Sequence, residues 1–210
     1  MFFLIEWMWL RNGRFPATIS SSFLSLLCTF HPSHLCVKFF GGLMNPKPAI
    51  KSQFLAALAM LYQAVEKCPE NMWNDEADHN KFWHIAYHAL FYTHLYLQPT
   101  GADFIPWIKA RRDYEFMGSK PWAPDETPEI GEPYTKEEIL ECLTFCEQQV
   151  LDVVDLLDLD GPSGFEWLPF GKLELQFYSI RHLQLHVGEL CNQLFTRAQI
   201  DVNWVGMKEV

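Results

Sequence analysis

The side chains best placed to act together lie near the C-terminal end, in Ser179-Ile180-Arg181-His182-Leu183-Gln184-Leu185-His186-Val187-Gly188-Glu189-Leu190. Two imidazoles four residues apart sit on one face of a helix and can aim at one point, which is a geometry that ligates metal ions. The helix itself is legible: apolar residues recur at Phe177, Ile180, Leu183, Val187, Leu190 and Leu194, the spacing of a single buried stripe. The polar track continues through Glu189 and Gln193, placed either as alternative ligands or as groups that orient an imidazole or a bound water. Spacing alone also suits a blander reading, in which both histidines are core-edge residues hydrogen-bonded to carbonyls or water.

A second source of imidazole lies upstream. The segment from about His79 to Leu97 is apolar on nearly every side and carries His84, His88 and His94, of which His84 and His88 share a face and His94 lies off it. In a helical bundle, cofactor sites are built from side chains of facing helices. His88 with His182 and His186 could supply three neutral nitrogens to one divalent metal and leave positions open for water or substrate. Other chemistries fail on their motifs. The lone Glu-x-x-His pair, Glu76 with His79, precedes the helix, so ferritin-like di-iron chemistry is excluded. There is no His-Glu-x-x-His, no glycine-rich phosphate loop and no Gly-x-Ser-x-Gly.

The elements that must position these residues are helices. Helix one follows Pro46 and Pro48, buries Ile50, Phe54, Leu58, Leu61 and Val65, and stops at Lys67-Cys68-Pro69. Helix two is the histidine-bearing segment. Residues 98 to 134 form a long irregular connection rich in proline and glycine, whose Phe104, Trp107, Tyr114, Phe116 and Trp122 predict that it packs onto the domain as a crossover or cap. Thr135-Lys136-Glu137-Glu138 is a capping box opening helix three, which runs on Ile139, Leu143, Cys146, Val150, Val154 and Leu157. Asp160-Gly161-Pro162-Ser163-Gly164 breaks the chain, and helix four begins near Lys172. The expected fold is all-α, a four-helix bundle.

Composition narrows the function. The chain has 210 residues, a formal charge of -10 and a pI near 5.2, which disfavours a nucleic-acid partner. No apolar run reaches the roughly 18 residues of a membrane span, so no membrane partner is expected and the chain reads as cytoplasmic. Six cysteines without a C-x-x-C read as reduced thiols, with Cys142 and Cys146 as small core fillers.

Residues 1–43 differ in character from the rest. Arg11 and Arg14 follow the apolar Met1 to Leu10 run instead of preceding it, the wrong order for a signal peptide. Cys28, His31, His34 and Cys36 crowd together around Pro32, unlike the separated ligand pairs of structural zinc. We read residues 1–43 as an atypical extension that is not part of the native protein, with Met44 as its start and 44–210 as the domain.

Phe82-Trp83-His84-Ile85-Ala86-Tyr87-His88-Ala89-Leu90-Phe91 and Ile180-Arg181-His182-Leu183-Gln184-Leu185-His186-Val187-Gly188-Glu189-Leu190 resemble the DinB-like family of metal-binding four-helix bundles, over about residues 46 to 198. The resemblance implies an up-down-down-up bundle with its long crossover between helices two and three. It also implies one divalent metal (Zn, Ni, Fe or Mn) on a histidine of helix two and the H-x3-H pair of helix four. By motif these are His88, His182 and His186, with His84 the alternative on helix two; His88 is preferred because the apolar Ala89-Leu90-Phe91 follows it. The family includes bacillithiol S-transferases and mycothiol-dependent isomerases. The implied function is therefore a metal-dependent thiol S-transferase in detoxification or stress response, with a low-molecular-weight thiol and an electrophile as partners and a homodimer as the assembly. The alternative is a non-catalytic metal-binding or stress-associated interaction protein.

Overall fold

The computed structural model describes residues 45–209, and the readings placed on residues 1–43, on Met44 and on the Cys28 to Cys36 cluster lie outside them. The described residues are all-helical: α1 (Lys47–Lys67), a single turn α2 (Glu70–Trp73), α3 (Phe82–Leu97), α4 (Lys136–Val153) and α5 (Lys172–Ala198). Short 3-10 turns at Gly101–Asp103 and Val154–Leu156 complete the order.

Each boundary has a local cause. Pro48 sits in the first turn of α1, where a missing N–H costs nothing, and Pro69 holds Cys68 in an extended conformation that ends the helix. Helix α3 starts at Phe82, later than the periodicity suggested. Residues 75–80 are taken up in turns: the Ala77 N–H donates to Asp75 Oδ1 (3.0 Å), the Asp78 N–H to the Asp75 carbonyl (3.1 Å), and Lys81 Nζ reaches the Asp75 and Asp78 carbonyls. The capping box of α4 is complete, with the Glu138 N–H on Thr135 Oγ1 (3.2 Å) and the Thr135 N–H on Glu138 Oε2 (2.9 Å). Its apolar periodicity continues to Val154 and Leu157, but the helix tightens after Val153 into the 3-10 turn. Helix α5 closes on Gln199, a non-glycine at φ 57° whose N–H caps the last turn.

Helix α1 packs against α4 and α5, and α3 packs against the same two. The buried faces meet in one core, with Phe54, Leu58, Leu61, Phe82, Leu90, Leu143, Leu183 and Leu190 fully inside. At roughly 1.5–3 kcal/mol per buried large apolar side chain, this core is the main source of stability. Phe177, placed in the buried stripe by its spacing, is 59% exposed. The α5 stripe begins instead at Leu175 and Ser179, because Phe177 falls on the face away from α1 and α3.

The connection 98–134 is tied to the helices by polar and aromatic contacts. Trp73 Nε1 donates to the Tyr134 carbonyl (2.8 Å), the Tyr134 hydroxyl donates to the Lys109 carbonyl (2.8 Å), and the Arg111 guanidinium lies 4.1 Å from the Tyr134 ring. Trp107 and Tyr114 are buried as expected, whereas Trp122 is 73% exposed, its ring roughly perpendicular to Phe116 at 5.4 Å. The tail, about which the sequence said little, returns along α1: the Asn203 N–H reaches Gln63 Oε1 and the Lys208 N–H reaches Ser52 Oγ.

Candidate metal centre

Helices α3 and α5 run antiparallel. Lys172, at the start of α5, donates to the Gln98 and Pro99 carbonyls at the end of α3 (3.0 and 2.8 Å), and His88 meets His182 and His186 nearer the middle. The register brings together the three histidines that the sequence singled out. One ligand atom from each of His88, His182 and His186 lies within 4.8 Å of the others, so the group could hold a metal ion. His182 Nε2 is 3.2 Å from both His88 Nε2 and His186 Nε2. A tetrahedral site with metal–nitrogen bonds of about 2.05 Å has nitrogen–nitrogen edges of about 3.3 Å, so two edges already have the right length.

The far sides of the rings decide which nitrogen carries a proton. His88 Nδ1 lies 2.6 Å from the Glu115 carbonyl, an acceptor only, so Nδ1 must be the protonated atom and Nε2 keeps its lone pair. His186 Nδ1 lies 3.2 Å from Glu189 Oε2, and an ionised carboxylate fixes the same tautomer. Two Nε2 lone pairs therefore flank His182 Nε2, which can donate one hydrogen at most. One N–H cannot make a full hydrogen bond to both neighbours, whereas a cation between the three nitrogens would satisfy all of them. Burial disfavours a proton on two of the three rings. Burial, with the neighbouring His186 and His182, drives His88 well below the usual imidazole range. Burial, with His186 and Arg181, holds His182 down at about 3. The donor set fits a divalent metal.

His186 is buried, while His88 and His182 are half-buried, so the cluster has a side facing outward. Tyr92 packs on His88 and His182 at ring separations of 4.8 and 5.5 Å, and the Tyr178 ring lies parallel to His182 at 6.5 Å.

The remaining candidates fall elsewhere. His84 Nε2 lies 2.8 Å from the Tyr114 carbonyl and its ring stacks on Trp83, outside the triad. Glu189 stands behind His186 in an orienting position. Gln193 lies one turn further on, and its Oε1 is buried without a hydrogen-bond partner. His94 lies on the α4 side of α3, between Phe104 and Phe145. Sequence reasoning missed Tyr92, Tyr178 and the Glu115 carbonyl. The two tyrosines had a signal, being four residues after His88 and four before His182 on the same helix faces. The carbonyl had none.

No family model, curated protein or solved structure matches the chain.

Proposed function

We propose that the chain is a divalent-metal-binding protein of the DinB-like kind, an up-down-down-up four-helix bundle that holds one Zn, Ni, Fe or Mn ion on His88, His182 and His186. The observation that carries this reading is the tautomer conflict. Glu115 and Glu189 leave two lone pairs facing His182 Nε2 at 3.2 Å, an arrangement a metal resolves. The antiparallel α3–α5 pair and the connection between α3 and α4 support the topology.

On this reading the half-buried side of the site takes an exogenous ligand, and the protein acts as a thiol S-transferase. The bound metal would supply a Lewis acid that stabilises a coordinating low-molecular-weight thiol as thiolate. The chain's own groups orient and shield: the Glu115 carbonyl and Glu189 fix two imidazoles, and Tyr92 and Tyr178 wall the approach beside His182. Among the described residues no helix is long and apolar enough to cross a membrane. A cytoplasmic setting, a homodimer and a role in stress response belong to the same proposal.

One observation favours the non-catalytic alternative. Two grooves of the described surface, one at Trp73 and Lys136 and one at His94 and Phe145, both lie away from the triad, so neither offers an electrophile a place beside the metal. Metal content by plasma mass spectrometry tests the common ground, on untagged full-length protein purified without chelator beside a His182→Ala/His186→Ala variant. About one divalent metal per chain, absent from the variant, is expected. Absence from both, with no uptake of added Zn or Ni, refutes the metal reading. Conjugation assays with several thiols and electrophiles then separate enzyme from binding protein.

A further inference from the structure

His94 is a buried titratable group outside the triad. It lies six residues beyond His88, and its ring meets Phe145 of α4 edge-on at 4.7 Å and Phe104 at 4.9 Å. The residue is 5% exposed, and among the described residues no hydrogen bond reaches either ring nitrogen. Neither ring nitrogen is among the fully enclosed polar atoms that lack a partner, so the nitrogens without a protein hydrogen bond keep some open surface, which calls for an explanation.

The explanation lies in what His94 faces. It lines a groove of about 400 Å³ between α3, α4 and the start of the long connection. Phe145 and Trp107 form apolar walls, and Gln98 and Gln149 bring amides to the same space. Gln98 Nε2 is engaged with the His94 carbonyl at 3.2 Å, which leaves its Oε1 as an acceptor. At the rim Ile105 and Ile108 are 79% and 91% exposed, apolar surface that an occupant would cover.

We propose that this groove is a second ligand site, separate from the histidine triad, which takes an uncharged ring compound carrying a hydroxyl group, with phenol as the simplest member of the class. The aromatic walls favour a ring through edge-to-face contacts. The imidazole supplies the lone pair that a hydroxyl needs as acceptor, since burial pushes His94 down to about 4 and keeps it neutral. A neutral imidazole offers no charge to an anion, and Asp103 at the rim repels one. Gln149 can donate to the hydroxyl oxygen.

The test is a titration of the full-length protein with phenol, followed through the histidine ring resonances by nuclear magnetic resonance, with benzoate as the charged control. Expected are saturable shifts centred on His94, retained in His182→Ala/His186→Ala, and no saturable response to benzoate. His94→Phe keeps the aromatic packing, removes the nitrogens and should weaken binding about tenfold, the weight of one buried hydrogen bond. Ile108→Ala, at an exposed position where folding is not at stake, should weaken it severalfold. A wild-type response that never saturates, shifts centred on the triad, benzoate binding as well as phenol, or undiminished binding in a folded His94→Phe or in Ile108→Ala overturns the proposal.

Discussion

Replacing His182 with leucine separates a metal centre from a cluster of structural histidines, because the two readings predict opposite changes. If the triad were a hydrogen-bonded structural network, His182→Leu would strip the donor from whichever of His88 Nε2 and His186 Nε2 accepts from it, each now 3.2 Å away. Each buried group left unsatisfied would cost about 1–3 kcal/mol. On the metal reading those nitrogens already present lone pairs to His182, held so by Glu115 and Glu189. The substitution then removes an imidazole that burial disfavours in its charged form, and the metal-free stability changes by no more than about 1 kcal/mol in either direction. The metal-bound state differs sharply. At a metal concentration a thousandfold above Kd the wild type gains about 4 kcal/mol, which at about 2–4 °C per kcal/mol for a domain of this size raises Tm by about 8–16 °C. The variant should show almost none of that shift. Thermal unfolding after chelator treatment, repeated with excess Zn, measures both quantities on the same samples. A wild-type Tm indifferent to metal, together with a metal-free variant destabilised by more than about 2 kcal/mol, would refute the tautomer argument.

Three further outcomes are expected. Glu189→Gln, which leaves an amide oxygen beside His186 Nδ1 but removes the charge, should weaken Zn affinity about tenfold, the low end for a supporting carboxylate because Glu189 is one-third exposed; competition with a chromophoric chelator reads this. Acid should destabilise the metal-free protein, and His94 is one cause. Its folded pKa is about 4 against 6.5 for the free imidazole, so its share of stability is complete above pH 6.5 and falls as protons bind the unfolded chain below that. The loss reaches about 2 kcal/mol at pH 5, and denaturant unfolding of His94→Phe at pH 7 and pH 5 should show that part of the acid sensitivity gone. Gly164→Ala should cost about 2–4 kcal/mol, read as a lowered Tm, because Gly164 has φ +87° and an added Cβ would lie 1.9 Å from the Pro99 carbonyl oxygen.

The long helices were legible because their signals are local. Pro48 and Pro69 around α1, the Thr135 to Glu138 box and the three-and-four apolar spacing of α5 each act within one or two turns. Errors arose where tertiary contacts chose between local options. The apolar run from Phe82 onward did not reveal that residues 79–81 stay outside the helix, with Lys81 folded back onto the Asp75 and Asp78 carbonyls while Arg197 of α5 pairs with both aspartates. Phe177 satisfies the same periodicity as Leu183, yet only the helix rotation set by α1 and α3 decides that the first is exposed and the second buried.

The candidate site divides along the same line. Side chains four residues apart on one helix can be read from sequence, which is why His182 and His186 stood out and why Tyr92 and Tyr178 could have. The choice of His88 over His84 could not be read that way, since both share a helix face and both lie near the long connection. What separates them is which carbonyl each meets: Tyr114 for His84 and Glu115 for His88. These are consecutive carbonyls, and the residue before them, Asp113, stands at φ 68° with its carboxylate held by Lys120 at 2.9 Å. A non-glycine residue in the left-handed region is strained unless its surroundings fix it. The strained turn thus presents two successive carbonyls to two histidines one helical turn apart, and the tautomer that points His88 Nε2 at the triad is set from the connection, by a backbone atom that no side-chain pattern encodes.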